Sequence, residues 1–68
     1  MENKRIIRLK EVQDLTGLSR STIYERMKEK NFPQAVKLGS HSVGWIEAEV
    51  RGWIDHLIEA RNEGATPF

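Results

Sequence analysis

Apolar residues recur at a spacing of three in Leu9, Val12 and Leu15, with polar and charged residues between them, and this stripe predicts a short amphipathic helix from Leu9 to Thr16. Gly17 closes it, because glycine adopts the left-handed backbone that ends a helix and turns the chain. The start is less sharply marked, since neither Arg8 nor Leu9 carries the short oxygen-bearing side chain that caps a first turn. Ser19 is a good N-cap, and the run from Arg20 to about Lys30 contains no Gly or Pro, so a second helix is predicted there. At 100° per residue it puts Ile23 and Met27 on one apolar side and turns Ser21, Glu25 and Lys28 away, with Arg20 and Tyr24 on the flank between.

Pro33 disfavours helical geometry at Phe32, so the helix breaks at Asn31-Phe32-Pro33, and Phe32 is placed to plug the core. Val36 and Leu38 then alternate with Lys37, and Val43 and Trp45 alternate with Gly44. These two runs, joined by Gly39-Ser40-His41-Ser42, predict a β-hairpin. The clearest amphipathic pattern comes last: Ile46, Val50, Trp53, Ile54, Leu57 and Ile58 return at helical intervals. Glu47 and Glu49 suit the positive end of that helix and Arg61 its negative end. Residues 62–68 read as a flexible tail, leaving an ordered core of about 6–61 within a single domain spanning 1–68.

Composition narrows the chemistry. A chain of 68 residues sits near the lower size limit for a core that holds without staples, and the absence of cysteine excludes disulfides and the Cys-containing zinc patterns. His41 and His56 are too few and too far apart to suggest a metal cluster. Beside the basic N-terminal residues stands only the apolar pair Ile6-Ile7, which is neither a signal peptide nor a membrane span, and a cytoplasmic location is expected. The formal net charge is only +1, but residues 1–30 carry eight Lys or Arg against five Asp or Glu, whereas residues 31–68 carry three against five. The positive field lies in the first half.

Two short helices joined by Thr16-Gly17-Leu18-Ser19 have the turn chemistry of a helix-turn-helix, and the following hairpin would be its wing. Helix-turn-helix spacing alone also suits a plain helical hairpin; the added β-hairpin and third helix favour the DNA-binding reading. Arg20 can donate in bidentate fashion to guanine or bind phosphate. Ser21 and Thr22 lie in the first turn, where hydroxyls and free N–H groups bind phosphate, although Thr22 also suits a purely capping role. Tyr24 offers a hydroxyl to phosphate and a ring to a sugar or thymine methyl, and half-buried packing is the competing reading. Lys28 suits a phosphate contact; Glu25 can accept from cytosine or pair with Lys28. In the wing, Lys37, Ser40, His41 and Ser42 are candidates for the backbone or minor groove, and an ordinary solvated turn is the alternative. Trp45 and Trp53 fit core packing better than base stacking. No nucleophile, base and orienting group converge and no Gly-rich phosphate loop is present, so an enzyme is not expected.

The motifs RLKEV, TGLSRSTIY, FP, VKLG and VGWIEAEVRGWI stand in one order between Ile7 and Ile54, and this string resembles the AlpA family of prophage-encoded regulators. That family is related to MerR-type winged helix-turn-helix proteins and to phage excisionases. The resemblance implies an α+β winged helix-turn-helix, a recognition helix over Ser19 to Lys28 and a wing tip over Gly39 to Ser42. Many relatives carry Gly or Arg where this chain has Ser40-His41-Ser42. It implies double-stranded DNA as partner, bound specifically to regulate prophage or mobile-element genes such as an integrase gene. Neither cofactor, metal, membrane nor small-molecule substrate is expected. An architectural excisionase that bends DNA and a protein-interaction module built on Glu25 and Glu29 are the rival readings. So small a reading head contacts few base pairs, so self-association or cooperative binding along DNA is also expected.

Overall fold

Arg8 marks the first change of direction. Its extended backbone (φ −98°, ψ 173°) ends a two-residue strand, β1 (Ile6–Ile7), and leads into α1 (Leu9–Thr16) with no side-chain cap. In the computed structural model, which describes residues 4–64, there follow α2 (Arg20–Lys28), β2 (Val36–Lys37), β3 (Val43–Ile46) and α3 (Glu47–Asn62). This is a small α+β winged helix-turn-helix. Both helices of the predicted pair begin where the sequence puts them, and the hairpin strands form at the expected place. The predicted tail is helical at Asn62 and turns at Glu63 and Gly64; residues 65–68 lie outside the described residues.

β1 is the element that the hydrophobic pattern does not announce, because two residues cannot display a period. The sheet order is β1-β3-β2, all antiparallel, with Ile7 opposite Trp45, Ile6 opposite Ile46, Val36 opposite Gly44 and Lys37 opposite Val43. The Glu47 N–H donates to the Arg5 carbonyl (2.8 Å), carrying the β1–β3 pairing into the first turn of α3. Directly opposed residues share a face, so Ile7 and Trp45 point inward while Ile6, Gly44, Val36 and Ile46 point outward. Gly44 is needed on that outer face: a Cβ there would stand 2.5 Å from Ile6 Cγ2 and 3.0 Å from the Ile7 carbonyl oxygen.

Among the described residues the buried core is Ile7, Val12, Ile23, Phe32, Trp45 and Val50, one or two from each part of the chain, with no buried charged or polar residue. Leu9, Leu15, Leu18, Met27, Trp53 and Ile54 pack around it. Phe32 plugs the core as its place before Pro33 suggests. The indole N–H of Trp45 is buried without an acceptor among the described residues, a cost of about 1–3 kcal/mol that the burial of the whole ring must exceed.

One sequence expectation needs correction, and one pattern reaches further than the core. The second helix stops at Lys28, not Lys30: Lys30 is left-handed (φ 64°), its N–H donates to the Met27 carbonyl, and the Asn31 N–H reaches back to Arg26 (2.8 Å). This is the paired hydrogen-bond closure usually built on glycine, here with lysine in the turning position and so invisible to a search for Gly. The apolar stripe of α3 also outlasts the core. Val50 is buried and Trp53 and Ile54 partly so, but Leu57 and Ile58 are 48% and 41% exposed.

Trp53 ties the end of α2 to α3. Its ring meets Phe32 edge-on (4.7 Å between centroids, 66°) and its Nε1–H donates to the Asn31 carbonyl (2.8 Å), fastening α3 to the end of α2. Trp53→Ala is expected to cost about 3 kcal/mol, the low end for an aromatic truncation because the side chain is only partly buried, and Trp53→Phe about 1 kcal/mol for the lost hydrogen bond. Thermal melts of the two variants check this ordering; equal melting temperatures for both and the parent would refute it. Gly44→Ala is expected to cost about 1–3 kcal/mol through overpacking against Ile6 and the β1 backbone. Chemical denaturation measures this, and an unchanged midpoint would show that β1 does not pack there.

Candidate nucleic-acid interface

The turn between α1 and α2 is held by hydroxyl groups at both ends. Thr16 Oγ1 donates to the Val12 carbonyl (2.8 Å) and accepts from the Leu18 N–H (3.2 Å), while Gly17 between them is left-handed (φ 75°) and donates its N–H to the Gln13 carbonyl. Ser19 then caps α2: its Oγ accepts from the Thr22 N–H (3.3 Å) and donates to Thr22 Oγ1 (2.9 Å), with Ser21 Oγ at 3.4 Å. Thr22 is half-buried inside this cap, which supports its structural role. Ile23 is fully buried and Met27 half-buried on the opposite side, and that packing fixes which face of α2 looks outward.

Arg20, Ser21, Tyr24, Glu25 and Lys28 are all exposed on or beside that outward face. Ser19, Arg20, Ser21 and Tyr24 line one shallow recess at the start of the helix. Arg20 Cζ stands 5.5 Å from the centre of the Tyr24 ring, and the Tyr24 ring meets Trp45 of β3 edge-on (6.2 Å, 68°). Tyr24 thus both packs against the sheet and remains 37% exposed, so the two readings of this residue are compatible. Among the described residues Glu25 and Lys28 make no side-chain ion pair with each other. Ser19, a cap by its chemistry and the first residue of the recognition segment that the resemblance implies, both caps α2 and lines the recess.

Lys37, Ser40 and His41 are exposed in the hairpin, whereas Ser42 is half-buried and its carbonyl accepts from the Leu38 and Gly39 N–H groups (2.8 and 3.3 Å). Ser42 therefore closes the turn, and the free tip is Ser40-His41. Among the described residues no hydrogen bond or ion pair joins Lys37, Ser40 or His41 to α2.

The basic first half divides by use. Arg5 pairs with Glu11 (3.1 Å) and Glu47 (3.3 Å), and Lys10 pairs with Asp14 (3.3 Å). Arg20, Arg26 and Lys28 on α2 have no acidic partner among the described residues. No helix there is long and apolar enough to cross a membrane, and no group of three His, Asp or Glu could hold a metal.

This geometry coincides with a clear relationship to known proteins. Residues 5–58 match the family described as Prophage CP4-57 regulatory protein (AlpA). An uncharacterized protein, ORF88, of Enterobacteria phage P4 is 44% identical over 61 residues, covering 90% of this chain and 69% of that protein. The DNA-binding transcriptional activator AlpA of Escherichia coli K12 is 45% identical over 56 residues, 74% of this chain and 80% of its own length. With most of its length matched by the family and close identity to these relatives, the chain belongs to the AlpA family of prophage transcriptional regulators.

Proposed function

We propose that this regulator binds specific duplex DNA by placing α2 in the major groove and the Ser40-His41 hairpin tip on the adjoining backbone or minor groove. The observation that carries the reading is the outward face of α2: a cationic and hydroxyl surface, with Arg20 and Lys28 free of acidic partners among the described residues, on the second helix of a tight helix-turn-helix. The Escherichia coli relative is named as a DNA-binding transcriptional activator, which accords with it. Arg20 reads a base edge, Ser21 and the free N–H groups of the first turn hold a phosphate, and Lys28 and Lys37 add charge attraction. Thr22 acts through the cap, and Glu25 is available to a cytosine amino group. So small a head reads few base pairs, and two or more copies would lie side by side on a site controlling a gene such as an integrase.

Arg20→Ala is expected to weaken specific binding by roughly 1–3 kcal/mol and to relax preference at one base pair, whereas Lys28→Ala should weaken all duplexes alike and lower the salt slope by about one. Titrations against a duplex enriched from a random pool, repeated at several salt concentrations, measure both. Unchanged affinity in the two variants would move the interface off α2.

The wing is tested by Ser40→Asp with His41→Asp, leaving Ser42 to close the turn. Affinity at low salt should fall on the order of tenfold with the circular dichroism spectrum unchanged. If the doubly acidic tip binds as tightly as the parent, the hairpin is a connector. Footprinting on genomic DNA then separates promoter regulation from the excisionase role: protection beside a promoter supports the former, adjacent copies across an attachment site the latter.

A further inference from the structure

Arg20 and Tyr24 stand one helical turn apart on α2, and the guanidinium carbon lies 5.5 Å from the centre of the tyrosine ring. That is within the range of a cation–π attraction. The ring is itself restrained, because its other contact is edge-on to Trp45 (6.2 Å, 68°), and Trp45 is fully buried in β3 opposite Ile7. A continuous stack therefore runs from the core of the sheet through Tyr24 to the cation at the mouth of α2, where both residues line the same recess.

We propose that Tyr24 is a positioning residue for sequence reading: its ring, braced by Trp45, holds the Arg20 guanidinium in the orientation that meets a base edge. This rests on the DNA-binding reading above and adds to it the means by which specificity is set. A free surface arginine samples many rotamers, and a bidentate contact to guanine O6 and N7 needs one of them. Attraction to the ring uses no hydrogen-bond acceptor, so all of the guanidinium donors stay available for the base. Ordering the side chain before binding lowers the entropy lost on contact. The discriminating contact gains most, because it is the one that depends on direction, whereas attraction to phosphate does not.

The test compares Tyr24→Phe, which keeps the ring and loses the hydroxyl, with Tyr24→Leu, which loses both, alone and combined with Arg20→Ala. The probe is a duplex enriched from a random pool by the parent protein, together with its single base-pair substitutions. Tyr24→Leu should reduce preference about two- to fivefold at the base pair where Arg20→Ala removes preference, and should add nothing in the Arg20→Ala background. Tyr24→Phe should keep the parent preference. In the free protein, the side-chain protons of Arg20 should show an upfield ring-current shift in the parent and Tyr24→Phe, lost in Tyr24→Leu. The proposal is overturned if Tyr24→Leu keeps full preference, if Tyr24→Phe loses as much as Tyr24→Leu, or if Tyr24→Leu weakens every duplex equally in step with its melting temperature. An intact ring-current shift with an Arg20→Ala variant that reads DNA normally would also overturn it, but by removing Arg20 from the interface and not the ring from beneath Arg20.

Discussion

The pairing of Ile7 with Trp45 joins the start of the described chain to its middle, and nearly every other feature of the fold leans on that contact. Both side chains are fully buried on the inner face of the sheet. A chain of 68 residues has little apolar surface to bury, so a large indole placed centrally contributes a substantial part of what it has. Trp45 is reached from three directions: from β1 through the ladder, from β2 through the hairpin, and from α2 through the ring of Tyr24. The wing and the outward helix are thereby mounted on one support, and their relative placement is a property of the core and not of the loop between them.

Each exposed element near the proposed interface is held by a contact that leaves its outer face free. Hydroxyls of Thr16 and Ser19 satisfy the backbone of the interhelical turn, so the turn needs no larger side chain that would obstruct the approach of a duplex. The far end of α2 closes through Lys30 and Asn31, and Trp53 of α3 grips that closure from behind. Holding α2 at both ends limits its freedom to tilt, as the proposed reading of base edges would require.

Charge is distributed by the same logic. Glu47 is mostly covered and receives both Arg5 (3.3 Å) and Arg51 (3.0 Å) at the start of α3, so those cations are used within the molecule. With both arginines more than half exposed, these pairs contribute little stability, but they remove basic side chains from the surface available to a polyanion. Arg20, Arg26 and Lys28 of α2, without acidic partners among the described residues, give a protein of net charge +1 a locally positive face.

Periodicity and turn chemistry were enough to place α1, α2, the hairpin and α3, because each depends on near neighbours: the three-residue stripe of Leu9, Val12 and Leu15, the cap at Ser19, and Pro33 after Phe32. The exposed face of α2 was legible for the same reason, since Ile23 and Met27 orient the whole helix. What pairs across long separations was not. β1 exists only because Ile6 and Ile7 meet Ile46 and Trp45, and two residues carry no period of their own. Alternation in Val36, Leu38, Val43 and Trp45 cannot say which face each strand turns inward; the register does, setting Val36 opposite Gly44 and away from the core. The end of α2 at Lys28 depends on a left-handed lysine that Asn31 and Trp53 hold in place, and the amphipathic stripe of α3 cannot show that the body of the protein ends before Leu57 and Ile58. Local chemistry determined which elements form and which residues they leave exposed. The pairing of Arg20 with Tyr24 is local, one helical turn within α2, but the tertiary structure alone decided that Trp45 braces the Tyr24 ring, because that contact requires a helix and a strand some twenty residues apart to share one core.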